Sequence, residues 1–330
     1  MAASVTESEV RLTHDGADPI TAASFEVAGR ELPEPADGEI TVGVGYVSLD
    51  PSQRIRMRSE GAGFVPPAGV VGTVTATRSD RFAVGDTVLA PGAWASAVNV
   101  PAADAEPYDA PDGVPLRHAV GLLGLTGLTA YFGVTRVLRP RPGEKVVVTG
   151  AFGGVGQAAA QLVAASGAEV LGVVGGPDKA AGLARLGVRA VDHRSPHWQA
   201  EVDRWAPDGV HAVFDDVWGE VSARLVERLR PLGRVALCGQ MSGIADAVVP
   251  PLPLDNWFRL VTRSLTVQGF RAADFAVDNA QARRALAEMI AAGTLDQEIQ
   301  QAQGLAAAGA AFADLLRGRT VGKLVVEVRA

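Results

Sequence analysis

Residues 145–168 read KVVVTGAFGGVGQAAAQLVAASGA, and the fold turns on how this stretch is parsed. From Val146 to Ala168 it carries no charge and is long enough for a membrane-crossing helix. Its content argues against that. Gly150, Gly153, Gly154, Gly156 and Gly167 interrupt it, Gln157 and Gln161 are polar, and VVVTG is a β-branched run ending in a turn. The reading is strand, tight turn, buried helix. GAFGGVG then stands where a strand hands over to a helix, the setting in which a glycine turn cradles a dinucleotide. Small residues at Ala151 and Gly153 let the backbone approach a pyrophosphate, and Gly156 allows close packing of helix on strand. Ala151, Gly153, Gly154, Val155 and Gly156 are therefore the candidate contacts, aided by the helix N-terminus.

Downstream the rhythm is regular. Strands are expected near 145–150, 168–174, 210–215, 233–238 and 265–269 with helical segments between them, the pattern of an α/β, doubly wound parallel sheet. VVV, VLGVV and VALC are continuous apolar runs, as expected where helices cover both faces. Upstream, EITVGVGYVSL, GVVGTVTA, DTVLA and WASAVNV are short β-type runs split by Gly and Pro, which indicates a β-rich region. Ala119–Leu138 is expected to be one bridging helix, stopped by RPRPG. The tail offers a helix at DNAQARRALAEMIAAG, another at GLAAAGAAFADLLRG, and a strand at KLVVEV.

Length and composition fit this layout. The 330 residues suggest two domains, and 48% hydrophobic with 20% charged residues excludes a disordered chain. A net charge of −7 gives no global attraction to nucleic acid or to an anionic membrane, so neither is expected as a partner. A single cysteine, Cys238, excludes an intrachain disulfide framework. MAASVTESEV lacks a basic segment followed by an apolar run, so a cytoplasmic location is expected. No metal is expected either: the N-terminal region has no cysteine, and His14, His118, His193, His197 and His211 show no paired ligand spacing.

The strand EVLGVV ends in Gly175 and Gly176, with no carboxylate to meet a ribose 2′-hydroxyl, and Lys179 follows. That favours a 2′-phosphate and hence NADPH, with His193 and Arg194 completing a phosphate pocket or forming a solvated loop pair. Asp178 is expected as a helix N-cap, and Asp50 before Pro51 first as an N-cap and second as an active-site acid. Cys238 reads as packing in preference to a nucleophile, and Tyr46 and Tyr131 as packing at the domain junction. Trp94, Trp218 and Trp257 read as core or pocket wall.

Taken together, YVSLDPSQR (46–54), GLTGLTAYFGV (124–134), the glycine turn, FDDVWGE (214–220), ALCGQMSG (236–243), LTVQGF (265–270) and GRTVGKLVVEV near the C-terminus resemble the medium-chain dehydrogenase/reductase superfamily. Within it they resemble the zinc-independent NADPH-dependent alkenal, leukotriene and curcumin double-bond reductases. The resemblance implies a Rossmann NADPH-binding domain at 121–295 and a β-rich, GroES-like catalytic domain at 1–120 and 296–330, with the active site between them and a homodimer as the assembly. It implies reduction of an enone or enal, a small apolar or conjugated carbonyl compound, by hydride transfer to the β-carbon. It places Tyr46, Ser52 and Ile244 at the substrate, and Asp216, Cys238, Phe270 and Thr320 at the cofactor. The family usually has tyrosine where Ser52 and Ile244 stand and at about His193, and asparagine where Asp216 stands and near Thr320. With those phenols gone, the hydrogen-bond donor is left among a ribose hydroxyl, Ser52, Tyr46 and ordered water. Quinone reduction is an alternative, as is a cyclase, isomerase or binding protein that has lost reductase chemistry.

Overall fold

A computed structural model describes residues 5–17, 19–109, 114–245 and 258–328. The N-terminal half contains the strands β1 (Val5–Leu12), β2 (Phe25–Leu32), β3 (Glu39–Ser48), β4 (Pro67–Thr77), β5 (Thr87–Ala93), β6 (Ala97–Pro101) and β7 (Glu106–Pro107). After them come β8 (Lys145–Thr149), β9 (Glu169–Val174), β10 (Arg189–Asp192), β11 (Val210–Asp215), β12 (Leu229–Leu237) and β13 (Thr266–Gly269), then β14 (Ile299–Gln303) and β15 (Lys323–Glu327). The helices are α1 (Gln53–Met57), α2 (Leu125–Phe132), α3 (Gly154–Ala165), α4 (Pro177–Arg185), α5 (Trp198–Trp205), α6 (Glu220–Glu227), α7 (Phe258–Thr262), α8 (Asn279–Ala291) and α9 (Ala308–Leu316).

The residues β8 to β13 form a six-stranded parallel sheet in the order β10-β9-β8-β11-β12-β13. Strand order reverses direction between β8 and β11, the place where a sheet of this kind leaves a crevice for a ligand beyond the carboxyl ends of its strands. Val146, Val147 and Val148 are completely buried, as a strand covered by helices on both faces requires. The run that could have been read as a membrane span is β8, a turn and α3. Among the described residues, no helix is long and apolar enough to cross a membrane.

The second sheet runs β14-β15-β3-β4-β5-β7, with β6 on β3. Its last strand in sequence, β15, pairs antiparallel with β3, placing Val325 opposite Ser48 and Glu327 opposite Tyr46. Chain ends far apart in sequence thus share one sheet. A single apolar core joins the two sheets, since Val71, Leu89 and Val325 cluster with Val146, Val148 and Phe214.

Several expectations need correction. Ala119–Leu138 is not one helix: a 3-10 turn (Leu116–Val120) precedes α2, and a π-helical stretch (Gly133–Leu138) follows it. Gly121, at φ −107° and ψ −108°, breaks the helical path, and Arg139 in the left-handed region ends it. The sixth strand of the parallel sheet, β10, ends just before His193 and Arg194. β14 was unexpected, because IQQAQ has no apolar alternation to mark a strand. Asp178 is not a cap. Gly176, at φ +123°, caps α4, Pro177 opens it, and Asp178 lies in the first turn. Nor is Asp50 a cap, because α1 begins at Gln53 with Ser52 at its N-cap.

Candidate active site

The glycine turn is built as its sequence requires. Gly153 caps α3, and the turn closes so tightly over Gly156 that an added Cβ would sit 2.2 Å from the carbonyl oxygen of Gly150. Ala151 is fully buried, while Gly153, Gly154 and Val155 remain partly open to the crevice.

This turn is stitched to the end of the chain. Gly153 bridges to Gly322 by backbone pairing, and Gln297 Nε2 donates to the carbonyl of Gly154 at 2.8 Å. Gln161 donates to the carbonyl of Asp296 (2.7 Å) and accepts from its N–H (3.0 Å), while Gln157 accepts from the N–H of Glu298 (2.9 Å). The two buried glutamines of α3 thus satisfy their amides on the segment leading into β14, as burial demands. Thr320, buried, lies on the same run between Gly318 and Gly322.

At the end of β9, bare backbone faces cations. A Cβ on Gly175 would lie 3.1 Å from Nε2 of His193 and 3.5 Å from Nε of Arg194. Lys179 projects from the first turn of α4 and donates to the carbonyl of Gly318 at 2.8 Å. Asp192, the adjacent acid, is occupied by the N–H groups of Gly176 (2.8 Å) and Arg194 (3.0 Å). Among the described residues no ion pair neutralises Lys179 or Arg194. Burial, and then the charge of Arg194, hold both Lys179 and His193 below their usual pKa. Two basic groups against the glycine pair, with Lys179 close enough to feel the charge of Arg194, make a cluster chemically suited to a phosphate.

Asp216 lies at the floor of the crevice, just past β11. Its backbone N–H donates to Thr149 Oγ1 (2.9 Å), which itself donates to the buried carboxylate of Asp215 (2.7 Å). The Asp216 carboxyl meets the Cys238 thiol, and its pKa is pushed up to about 7 by burial first and by Asp215 second, the thiol hydrogen bond opposing. Burial and both acids push the Cys238 thiol well up, which keeps it a thiol and unreactive as a nucleophile. The ring of Phe270 packs edge-on to Phe214 and close over Gly133.

Beside this crevice an open cleft of about 600 Å³ lies between α1, the β4–β5 wall and α2, lined by Ser48, Asp50, Ser52, Val70, Leu125 and Leu128 among others. Ser52 is on its wall, and its hydroxyl makes no capping bond and has no other partner among the described residues. Tyr46 is not on that wall. Its hydroxyl donates to Glu327 (3.0 Å), and burial together with that carboxylate pushes the phenol up. Ile244 does not line the cleft either, and packs against the apolar core of the N-terminal sheet. Tyr131 packs edge-on to Phe132. Trp94 is core, fully buried against Phe25 and Phe312, Trp218 occupies the turn after β11 at φ +63°, and Trp257 lies outside the described residues.

One participant had no signal in the sequence beyond its place in GRTVGKLVVEV. Lys323, completely buried, donates from Nζ to Ser48 Oγ (2.8 Å), the Leu49 carbonyl (2.9 Å) and Asp50 Oδ1 (2.9 Å), while Ser48 donates to the other oxygen of Asp50. Its methylene stem lies against the glycine turn, where a Cβ on Gly154 would sit 2.8 Å from its Cδ. The side chain spans from the crevice to the cleft.

Residues 9–107 match the family described as the N-terminal domain of oxidoreductase, and residues 154–292 the family described as zinc-binding dehydrogenase. The chain is 31% identical to prostaglandin reductase 1 of Bos taurus over 312 residues, covering 93% of this chain and 94% of that protein. It is 26% identical to the NADPH-dependent curcumin reductase of Escherichia coli (strain K12), with 92% of each covered. The crystal structure of CurA from Vibrio vulnificus in complex with NADPH superposes with a TM-score of 0.88 at 28% identity, over 98% of this chain and 99% of that one. A zinc site is named in one family description, but the described residues of this chain contain no group of three or more His, Cys, Asp or Glu side chains able to hold a metal. The described residues therefore do not fit zinc.

Proposed function

The chain belongs to the medium-chain dehydrogenase/reductase superfamily, and on that premise we propose that it is an NADPH-dependent reductase of the activated carbon–carbon double bond of an enone or enal. The observation that carries this reading is the pairing of a phosphate-ready cation cluster at Lys179, His193 and Arg194 with an apolar-walled cleft bearing an uncommitted hydroxyl at Ser52. When bound in this site, NADPH would supply the hydride for the substrate β-carbon. The protein's task is then to hold the reactants and to meet the charge that grows on the carbonyl oxygen. Ser52 is the side chain placed to donate to that oxygen, since Tyr46 already spends its proton on Glu327. Asp216 and Cys238 form the floor beneath the cofactor, and Lys323 fixes the substrate wall against the glycine turn.

The same premise supports a homodimer. Among the described residues β13 is one of the two edges of the parallel sheet, and Leu232, Phe258, Val261 and Val267 of β12, α7 and β13 are exposed, apolar surface a second copy would cover. Sedimentation velocity checks this.

The function is tested by following NADPH consumption with enones, enals and quinones and identifying products by mass spectrometry. Enone or enal turnover with the double bond saturated supports the proposal. Turnover confined to quinones, or product formation without net NADPH consumption, overturns it.

A further inference from the structure

We propose that Asp216 meets the cofactor as a neutral carboxylic acid, so that cofactor binding draws a proton from solvent into the crevice. The inference rests on the cofactor reading above and concerns a different part of the site from the 2′-phosphate cluster.

The placement carries it. Asp216 follows the last residue of β11, the strand beside β8, where the order of the sheet reverses and a ligand has room beyond the strand ends. Its carboxyl lies between two backbone turns. A Cβ on Gly150, in the glycine turn, would be 3.7 Å from Oδ2, and one on Gly239, after β12, would be 2.2 Å from Oδ1. A dinucleotide held on the glycine turn therefore brings its phosphates to the neighbourhood of this carboxyl.

Among the described residues no cation acts on Asp216. The titratable groups among them that act on it are Asp215 from its own strand and Cys238 just past β12, while β8 supplies Thr149, whose hydroxyl accepts from the Asp216 N–H. Asp215 Oδ1 accepts from Thr149 and from the N–H groups of Val217 and Trp218, so it offers Asp216 no donor. Ionised, Asp216 would be a second carboxylate beside an arriving polyanion, with a thiol for its sole side-chain donor. Protonated, it loses that repulsion and gains an O–H to donate. Its pKa of about 7 in the free protein means that near neutral pH either form is within reach, and the cofactor's negative charge selects the acid.

Balance is simple: one proton leaves water or buffer and one carboxylate becomes a carboxylic acid, with no redox change. Binding then weakens as pH rises past the free pKa, by about tenfold in Kd per pH unit until the pKa of the complex is reached.

The test is isothermal titration of NADPH near pH 8 in two buffers of different ionisation heat, which counts the protons taken up, repeated with Asp216→Asn. Lys179, His193 and the 2′-phosphate also titrate, so a second series uses NADH, which lacks that phosphate and needs no variant. The expected result is uptake approaching one proton by wild type with either cofactor, less by Asp216→Asn by that amount, and a Kd for NADH that rises with pH in wild type alone. Absence of uptake with NADH, or uptake undiminished in Asp216→Asn, overturns the proposal. Failure of both cofactors to bind at any pH overturns the cofactor reading itself, and this inference with it.

Discussion

The ammonium of Lys323 lies 2.9 Å from the carboxylate of Asp50, and both side chains are almost sealed from solvent, at 2% and 9% exposure. Such a pair gains little over an apolar packing of the same volume, but it is costly to break from one side, because the remaining charge is left buried and alone. Here the pair ties the last strand to the loop that carries Ser52, so its loss should be felt in stability and in the shape of the cleft together.

Lys323→Met is therefore expected to cost about 3–5 kcal/mol of unfolding free energy, and Asp50→Asn in the same chain to recover part of it by removing the stranded charge. Urea denaturation of the two single variants and the double variant measures this. A loss below about 1 kcal/mol for Lys323→Met would show that the pair is solvated in solution.

Lys179→Ala should weaken NADPH binding by about 1.5–3 kcal/mol, the range for a charge-assisted hydrogen bond, and leave NADH nearly unchanged. Equal losses for both cofactors would show that the side chain supports the Gly318 carbonyl and does not read the phosphate.

The glycine turn separates two roles. At Gly156 a Cβ collides with the Gly150 carbonyl, so Gly156→Ala should cost about 1–3 kcal/mol of stability or more. At Gly153 the nearest atom to a Cβ is that same oxygen at 3.3 Å, so Gly153→Val should fold and fail to bind NADPH, its branches filling the phosphate approach. Calorimetry showing ordinary NADPH affinity in Gly153→Val would remove the turn from the cofactor site.

What the sequence could disclose was local. VVVTG followed by GAFGGVG announces strand, turn and helix because each residue acts on its own backbone, and the Gly175–Gly176 ending without an acid is legible for the same reason. Lys323 carried no such mark. Its partners are more than 270 residues away, at Ser48 and Asp50, and only the pairing of β15 with β3 brings them together. The surroundings of Tyr46 and Ile244 were hidden for a related reason: the hydrogen bond of Tyr46 to Glu327 and the packing of Ile244 on the N-terminal core depend on residues distant in sequence.

If Ser52 is the donor to the substrate oxygen, Ser52→Ala should lower kcat for an enone by about 10²–10³-fold, the range for removing one oxyanion donor, with NADPH affinity kept. A variant with full turnover would return the role to a ribose hydroxyl or to water.

The pH dependence of stability draws on two groups whose pKa values move in ways that oppose each other. His118 is buried, its Nδ1 has no partner, and burial followed by the Arg117 charge holds it below 6.5, against the pull of Asp296. As pH falls through 6.5 the unfolded chain takes up a proton that the folded protein refuses, so His118 costs stability in acid, with a limiting slope of about 1.4 kcal/mol per pH unit. His193, also lowered, acts in the same direction. Asp216 does the reverse. Its pKa rises from 3.8 to about 7, so between those values the folded protein keeps a proton the unfolded chain has lost, and this contribution is fullest at the acid end and gone above about 7. Acidification from about 6.5 to about 5 therefore loses stability through the histidines while regaining some through Asp216. Asp216→Asn should steepen the acid loss, because the compensating proton is gone, and His118→Gln should flatten it or reverse its sign. Thermal or urea unfolding of the cofactor-free protein at several pH values reads both slopes. An Asp216→Asn profile parallel to wild type would mean that the carboxyl titrates in the folded protein where it does in the unfolded chain.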